Sequence, residues 1–390
     1  MPLVAADTLA DFEASLPRYL ADLKTLVGFE TPSCPSRLDR GAREECLRHL
    51  RAAAAWLEGR FALIGRVERI ELPTGPLLKV TRRGRGPNVL LLAHYDTVHP
   101  RGSWKTLWRE DAERIYGPGI YDMKGGLLFI PWAVRYLIGA GLEHPHLTIL
   151  LTPDEEIGSE ASREVIQQEA TLADAALVLE APTRTGDLKV ARKGVGLFRV
   201  QVKGRAAHQG VEPEKGVNAV VEAAHFVLFA KAQEDLEAGT TVGPNVIRGG
   251  FASNVVAPEA ELLVDLRAWT EAEARRVEAA LAGYAPRTPG ARVKVEGGLN
   301  RPPMEPTPDS MRLFEIAQEE ARALGFEVGA GRVGGGSDGN FTQAKGVPTL
   351  DGLGPVGGGA HQPTEHVLKA SLAPRGALLA RLLSRLVDWR

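Results

Sequence analysis

Hydrophobic positions follow two different periods along the chain, and the pattern changes near residue 189. Apolar residues at helical spacing predict helices over about 8–27 and 42–61. Mainly apolar runs at 89–93, 147–153 and 175–179 predict strands that are buried on both faces, as in a parallel sheet. The first half of the sequence therefore predicts an α/β fold.

The stretch from 188 to 299 has a different pattern, in which apolar and polar residues alternate. Alternation is typical of strands with one exposed face, and two amphipathic segments lie between these strands. The predicted order is that of a ferredoxin-like α+β domain. The elements are a strand at 197–203, a helix at 216–231, strands at 241–247 and 260–266, a helix at 271–281 and a strand at 292–296.

The α/β pattern returns after residue 300. We predict a helix over 309–324, a strand over 347–352 and a helix over 368–387. Both ends of the chain therefore belong to one domain in this interpretation. We expect residues 1–187 and 300–390 to form that α/β domain, with 188–299 inserted into it.

Composition excludes several classes of protein. The 390-residue chain has a formal net charge of -2, which gives no indication of a nucleic-acid or membrane partner. No apolar run is long enough to span a bilayer, and the N-terminal segment lacks the pattern of a secretory signal. Cys34 and Cys46 form neither a CxxC motif nor a disulfide framework. We therefore expect a cytoplasmic protein.

Side chains that can bind metals follow each of the three apolar strands. His94 and Asp96 follow the first strand, Glu155 and Glu156 follow the second, and Glu180 follows the third. Open α/β sheets bind ligands at the carboxyl ends of their strands. His94 with Asp96 alone would fit a structural histidine equally well, and acids after a strand could form a solvated loop. The recurrence at three strand ends favours a binding site.

Two glycine-rich loops supply two further candidates. Asp122 lies within the loop 117–126, and His361 follows the glycine run 357–359. Asp122 could instead cap the helix that follows it, but one cap does not require so many glycines. The glycine runs 334–336 and 357–359 lack the GK[ST] sequence of a phosphate-binding loop, which excludes a nucleotide site there.

The combination of imidazole and carboxylate groups suits zinc, and also cobalt or manganese. Five ligands fit two ions that share one carboxylate better than they fit a single ion, and Asp122 on its glycine-rich turn is the predicted bridge. Such paired ions clamp an attacking hydroxide in two-metal hydrolases. Glu155 and Glu156 cannot easily face the same way from an extended segment. We expect one of them to bind a metal and the other to act as general base.

Seven motifs, in order along nearly the whole chain, resemble the M20 family of dizinc peptidases and deacylases. The resemblance is closest to its glutamate carboxypeptidase (carboxypeptidase G2-like) branch. It implies a phosphorylase/hydrolase-like catalytic domain with a mostly parallel sheet flanked by helices, and an inserted lid that also forms a homodimer. The motifs are AHYDTV (93–98), GPGIYDMKGG (117–126), TPDEEIGS (152–159), LEAP (179–182), VKGRAAHQGVEPEKGVNA (202–219), GGGSDGN (334–340) and GGGAHQPTE (357–365).

The resemblance also assigns roles to the candidate residues. It implies two divalent metal ions, with Zn²⁺ favoured over Co²⁺ or Mn²⁺. Glu155 would be the general base, and Asp96 would orient His94. The implied ligands are His94 and Glu180 for one ion, Glu156 and His361 for the other, and Asp122 for both.

Further roles are implied for the inserted domain and for a glycine-rich turn. His208 would stabilise the oxyanion, usually in the active site of a partner subunit. Asn254 and Arg267 match positions that contact the substrate carboxylate in related exopeptidases, and Arg267 could bind it through two hydrogen bonds. Gly336 and Ser337 would line the substrate end of the pocket. Without the resemblance, His208 would be a polar loop residue and Arg267 would form a surface salt bridge. Gly336 and Ser337 would belong to a tight turn.

The predicted reaction is metal-dependent hydrolysis of an amide or peptide bond near a free carboxylate, as in a glutamate carboxypeptidase. The alternative is an N-acyl amino-acid deacylase of the acetylornithine deacetylase or succinyl-diaminopimelate desuccinylase type. A non-catalytic relative is the least favoured possibility, because every implied ligand and the base are present. The sequence leaves open the preferred side chain and the metal. It also leaves open whether His208 acts within its own chain, and the role of Cys34 and Cys46.

Overall fold

A computed structural model describes residues 5–389 of the chain. Residues 1–4, which belong to the segment inspected for a secretory signal, and Arg390 lie outside this range. Within the described range, the residues divide into two compact units. Of the described residues, the first unit contains 5–190, 306–332 and 337–389, and the second contains 191–305 and 333–336.

Helices and strands alternate through most of the described chain. The helices are α1 Ala5–Gly28, α2 Arg40–Phe61, α3 Gly125–Gly139, α4 Arg163–Ala170, α5 Ala219–Lys231, α6 Glu271–Ala282, α7 Pro308–Ala323, α8 Gly339–Ala344 and α9 Lys369–Arg385. The strands are β1 Arg66–Leu72, β2 Gly75–Arg82, β3 Asn88–His94, β4 Arg109–Glu110, β5 Arg114–Tyr116, β6 His146–Thr152, β7 Ala175–Val178, β8 Leu188–Arg192, β9 Gly194–Lys203, β10 Thr241–Gly249, β11 Glu259–Ala268, β12 Arg292–Arg301, β13 Ala330–Val333, β14 Thr349–Leu350, β15 Gly357–Gly358 and β16 His366–Leu368.

The first unit is built on a six-stranded sheet of order β1-β2-β6-β3-β7-β14. Strands β6, β3, β7 and β14 are parallel, and β1 and β2 are antiparallel additions at one edge. This mainly parallel sheet with helices confirms the predicted α/β class. Parallel strands need crossover connections, and α3 and α4 supply them between β3, β6 and β7.

Both faces of this sheet are buried, as the apolar runs predict. Leu91 of β3 packs into a large core that also contains residues of α1, α3 and α9. Its neighbours Leu90 and Leu92 point to the other face and pack with Ile166 of α4 and Phe341 of α8. Because successive side chains of a strand alternate between faces, one run of leucines serves both cores.

The second unit contains an antiparallel sheet of order β10-β11-β9-β12. Inward residues such as Phe198 and Val200 of β9 and Leu262 of β11 form its core with Phe226 of α5 and Val277 of α6. The order strand, helix, two strands, helix, strand is the ferredoxin-like α+β order. The chain passes from one unit to the other after residues 190, 305, 332 and 336. The sequence predicts two such boundaries, after residues 187 and 299.

Some predicted elements differ from the structure. The strand expected over 347–352 contains only Thr349–Leu350, because the chain turns at Gly352 with φ of +82°. The strands β4, β5, β15 and β16 form a small antiparallel sheet that was not predicted. They are two or three residues long, too short to establish a period. In residues 5–389, no helix combines the length and apolar character needed to cross a bilayer.

Candidate metal centre

Strand register brings His94 and Glu180 to the same level of the sheet, and Glu155 lies just beyond it. In the parallel pairing, His94 at the end of β3 lies opposite Thr152 at the end of β6. Leu92 lies opposite Val178 at the end of β7. His94 and Glu180 each lie two residues beyond this pair, so they reach the same level. Glu155 begins a single helical turn, Glu155–Ile157, just beyond β6. The candidates therefore meet at the carboxyl edge, where ligands of such sheets bind.

A buried glutamate holds the loop that carries Asp122. One carboxylate oxygen of Glu365 accepts the N–H groups of Tyr121 and Asp122, both at 2.9 Å, and the other accepts that of Gly119 at 3.0 Å. His99 contacts the same carboxylate at 2.6 Å. Sequence reasoning assigned no role to Glu365, although it lies in the motif that contains His361.

Glycine is required where α3 approaches the end of β7. A Cβ atom on Gly126 would lie 1.9 Å from the carbonyl oxygen of Leu179, the residue before Glu180. The absence of a side chain lets the helix that follows Asp122 pack against the segment that carries Glu180. The glycine pair at the start of α3 thus fixes the spacing between two candidate ligands.

Four candidate side chains converge around the two oxygens of Asp122. His94 Nε2 lies 3.3 Å from Asp122 Oδ1 and 3.4 Å from Glu180 Oε1. His361 Nε2 lies 3.4 Å from Asp122 Oδ2 and 3.2 Å from Glu156 Oε2. Asp122 therefore belongs to both groups and contributes a different oxygen to each of them.

These separations fit ligands of a tetrahedral ion better than they fit hydrogen bonds. Two ligands bonded to one tetrahedral zinc at about 2.0–2.1 Å lie about 3.3–3.4 Å apart. The four distances of 3.2–3.4 Å within the two groups are close to this value, whereas charged hydrogen bonds are usually about 2.7–2.9 Å long. Each group could therefore hold one divalent ion, with Asp122 between them.

Glu155 lies beside the same centre. Its carboxylate can approach ligand atoms of His94 and Glu180 so that all three lie within 4.8 Å of one another. His94, Asp122 and Glu156 form a second such cluster. Glu155 thus lies beside His94 and Glu180, whereas Glu156 also contacts His361, which suits the predicted division between a base and a metal ligand.

Asp96 is fully buried and orders both sides of the centre. Its carboxylate accepts the backbone N–H groups of Glu155 and Glu156, each at 3.2 Å, and the hydroxyl of Ser33 at 2.7 Å. His94 Nδ1 lies 3.1 Å from the backbone oxygen of Asp96 and 3.3 Å from Oδ1. A proton on Nδ1 leaves the Nε2 lone pair directed at the centre.

The acidic groups shift the pKa values of both imidazoles. Contacts with Asp122 and Glu156 raise the pKa of His361 to about 11. Burial lowers the pKa of His94, but three carboxylates, first Asp122, raise it well above its usual value. Burial raises the pKa of Glu156 to about 7. The site thus concentrates negative charge around two imidazoles and favours positive charge, which a divalent cation would supply.

The second unit holds four of the residues predicted to act on substrate, His208, Asn254, Arg267 and Gly336, and Ser337 lies in the first unit. His208 is exposed, and its Nδ1 accepts the Gly210 N–H at 3.2 Å. A neutral imidazole then carries its proton on Nε2, where it can be donated. Asn254 is exposed as well. Its backbone carbonyl accepts a hydrogen bond of 2.9 Å from the N–H of Gln209, the residue after His208. Two proposed substrate contacts therefore lie on neighbouring extended segments.

Arg267, Gly336 and Ser337 already have partners within their own units. The Arg267 guanidinium binds both oxygens of Asp265, with Nε–Oδ1 at 2.9 Å and Nη2–Oδ2 at 3.0 Å. The Gly336 carbonyl accepts a hydrogen bond from Arg192. Ser337 is fully buried and donates its hydroxyl to Asp351 at 2.6 Å. Their roles toward substrate stay predictions, and that of Arg267 requires Asp265 to release it.

Comparison with known proteins identifies the family of this architecture. Residues 90–385 match the model of peptidase family M20/M25/M40. The chain is 34% identical over 318 residues to carboxypeptidase G2 of Pseudomonas sp. (strain RS-16), which covers 78% of this chain and 75% of that protein. It is 27% identical to the succinyl-diaminopimelate desuccinylase of Nitrosococcus oceani, over 91% of this chain and 96% of the other.

A solved structure shares the fold over nearly the whole length. The YxeP protein of Bacillus subtilis, described as a dinuclear metal binding peptidase from the M20 family, has a TM-score of 0.62 and 18% identity to this chain. The match covers 97% of this chain and 99% of that protein. The likeness confirms the expected fold, including the second domain.

Proposed function

The chain belongs to the peptidase M20/M25/M40 family of metallohydrolases, and from this premise we propose that it hydrolyses amide bonds near a free carboxylate with two divalent metal ions. The observation that carries the proposal is the position of Asp122, whose two oxygens face separate imidazole–carboxylate groups. Zinc is the favoured metal because of the mixed imidazole and carboxylate ligands. The proposed ligands are His94 and Glu180 for one ion, Glu156 and His361 for the other, and Asp122 for both.

The protein's own groups have defined tasks in this proposal. When bound, the ions would polarise the scissile carbonyl and lower the pKa of the attacking water. Glu155 accepts a proton from that water and delivers it to the leaving nitrogen. Asp96 holds the Glu155–Glu156 backbone and the tautomer of His94. His208 donates its Nε2–H to the developing oxyanion, a hydrogen bond of the kind that stabilises the transition state most.

We propose that the second unit acts as a lid and as the dimer interface. Within residues 5–389, no strand pairs with the outer edge of β10. Exposed apolar residues lie on β10, on the segment after it and on α5. Unpaired edges and exposed apolar clusters favour association with another chain. The exposed residues are Val220, Val221, Leu228, Ile247 and Phe251.

The favoured substrate is a peptide or N-acyl amino acid that ends in a free carboxylate. This proposal is supported by the similarity to carboxypeptidase G2 over three quarters of both chains. Arg267 is the proposed partner of the substrate carboxylate, which would replace the carboxylate of Asp265 in a two-bond contact. Asn254, Gly336 and Ser337 would complete the pocket.

The second candidate is an N-acyl amino-acid deacylase that uses the same metal centre. It is favoured by the similarity to the desuccinylase, which extends over nearly the full length of both proteins. The two candidates differ in the part of the substrate that the pocket selects. A carboxypeptidase selects the terminal amino acid, and a deacylase selects the acyl group.

A paired assay separates these activities. The metal content of the purified protein is measured by elemental analysis, and hydrolysis of a peptide with C-terminal glutamate is compared with hydrolysis of an N-acetyl amino acid. We expect two zinc ions per chain and preference for the glutamate peptide. Preference for the acetylated amino acid would favour the deacylase, and a protein with metals but no turnover of either would favour a non-catalytic role.

We also propose that the protein acts in the cytoplasm. Cys34 and Cys46 are both free thiols, and free thiols persist in reducing compartments. Cell fractionation tests this location, and recovery of the protein mainly in an extracytoplasmic fraction would contradict it.

A further inference from the structure

A cavity of about 270 Å³ lies in the first unit among α1, α3 and the end of α2. None of the proposed metal ligands lines it. Its volume is close to the lower limit of small-molecule sites, about 300 Å³. The cavity is therefore large enough for a small organic molecule, and the proposed hydrolysis gives it no task.

One wall of the cavity is aromatic. Tyr19 and Trp132 are stacked, with ring centroids 4.5 Å apart and an angle of 20° between the planes. The indole N–H of Trp132 donates to the hydroxyl of Ser15 at 2.8 Å, which fixes the ring. Leu128 and Pro131 are buried beside these rings and complete an apolar surface. Such a surface suits a flat apolar group that packs against the exposed parts of the rings.

The remaining lining has an excess of cations. Three arginines, Arg18, Arg60 and Arg135, line the cavity with only two acids, Asp11 and Asp22. Arg60 pairs with Asp22 at 3.0 Å, but its Nε is buried and has no hydrogen-bond partner within residues 5–389.

The other two arginines are less well compensated. Over the same described residues, Arg18 and Arg135 form no ion pair within 4.0 Å. Burial lowers the pKa of Arg135, and its neighbours Arg18 and Arg60 lower it further, whereas Asp22 raises it. The charge of Arg135 is therefore held at a cost that a nearby anion would offset.

We propose that this cavity is a second binding site, specific for a small carboxylate with a flat apolar body. The carboxylate accepts hydrogen bonds from Arg135 and Arg18, a geometry for which guanidinium groups are well suited. The apolar body lies against Trp132. Neither a cation nor a neutral amide of the same shape satisfies both requirements.

The site is connected to the metal centre through one residue. The Tyr19 hydroxyl donates to the Gly125 carbonyl at 2.9 Å, and Gly125 begins α3 only three residues after Asp122. A ligand that packs on the Tyr19–Trp132 pair therefore contacts the side chain that anchors the start of α3. We expect the bound carboxylate to slow amide hydrogen exchange at the start of α3, and unchanged exchange in the bound protein would contradict this connection.

Calorimetric titration of the full-length, metal-loaded protein tests the site directly. Phenylacetate is the probe, and phenylacetamide and 2-phenylethylammonium are its neutral and cationic counterparts. We expect phenylacetate to bind about tenfold or more tightly than either counterpart, because it alone gains charged hydrogen bonds. Equal binding of the cation would overturn the proposal, as would failure of phenylacetate to bind at millimolar concentration.

Matched variants locate the bound probe. Arg135→Met and Arg18→Met should each weaken phenylacetate binding about tenfold, whereas Arg292→Met, at an exposed arginine of β12, should leave it unchanged. Arg18 is exposed, so its variant remains a test if Arg135→Met does not fold. Unchanged affinity in both cavity variants would place the probe elsewhere, for example at the metal centre, and would overturn the proposal. Binding is measured without turnover, so its failure is distinct from failure of the proposed hydrolysis.

Discussion

Asp96 offers a sharp test of how the metal centre is held, because it contacts the centre only through other residues. Asp96→Asn keeps the size of the side chain and replaces one carboxylate oxygen by an NH₂ group. The present oxygens accept the N–H groups of Glu155 and Glu156 and the hydroxyl of Ser33. One of the two backbone N–H groups must therefore face an NH₂ group in the variant, whichever way the amide turns.

The size of the effect follows from these contacts. Loss of one hydrogen bond to a charged acceptor costs about 1.5–3 kcal/mol, which corresponds to a factor of about 10–150. His94 Nδ1 keeps the backbone oxygen of Asp96 at 3.1 Å, so its orientation is partly preserved. We therefore expect zinc affinity to fall about 10- to 100-fold, the range found when groups that orient metal ligands are removed.

Competition with a chromogenic zinc chelator measures this affinity for both ions. Ser33→Ala is the matched control, because it removes the shortest hydrogen bond to the same carboxylate, 2.7 Å, without changing its charge. We expect a smaller loss of affinity in the control and similar thermal unfolding midpoints for the two zinc-free variants. Zinc binding by Asp96→Asn that equals that of the wild type would refute the proposed role of Asp96.

Three further predictions concern the base, the lid and acid stability. Glu155→Ala should retain two zinc ions by elemental analysis but lose turnover; an active variant would contradict its role as base. A mixture of His208→Ala with Glu155→Ala should recover part of the activity if His208 acts across a dimer, and no recovery would indicate action within one chain. Burial raises the pKa of Glu222, but hydrogen bonds from Tyr284 and from the backbone of residues 287–288 lower it overall. The ionised Glu222 side chain therefore stabilises the second unit at pH values above its pKa in the unfolded chain, about 4.3. This stabilisation is lost as the pH falls through the lower pKa of Glu222 in the folded protein. Glu222→Gln should lose about 1–3 kcal/mol of this stability at neutral pH, and hydrogen exchange of β9–β12 that matches the wild type at neutral pH would contradict this prediction.

The main elements were predictable because hydrophobic burial leaves a clear period in the sequence. The runs before His94 and before Glu180 are buried on both faces, and the alternation in β9 and β11 matches strands with one buried face. Long patterns of this kind constrain both the type of element and its face. The short strands beside His361 carry no such pattern, because they are only two and three residues long.

The position of the candidate metal centre was also predictable, since strand ends and glycine-rich loops mark it in the sequence. The supporting contacts were not. Glu365 receives N–H groups from a loop more than 240 residues earlier in the chain, and no local spacing encodes that meeting. The pairing of Arg267 with Asp265 has a local signal, because residues i and i+2 lie on one face of a strand.

Titration of zinc into the metal-stripped protein, with hydrolysis of a C-terminal-glutamate peptide as the readout, tests the two-metal proposal most directly. We predict no turnover without metal and a rise that saturates at two zinc ions per chain, because Asp122 offers one oxygen to each group. His361→Ala should remove one equivalent of zinc together with the activity. Full activity at one equivalent, or turnover by the metal-free protein, would contradict the account.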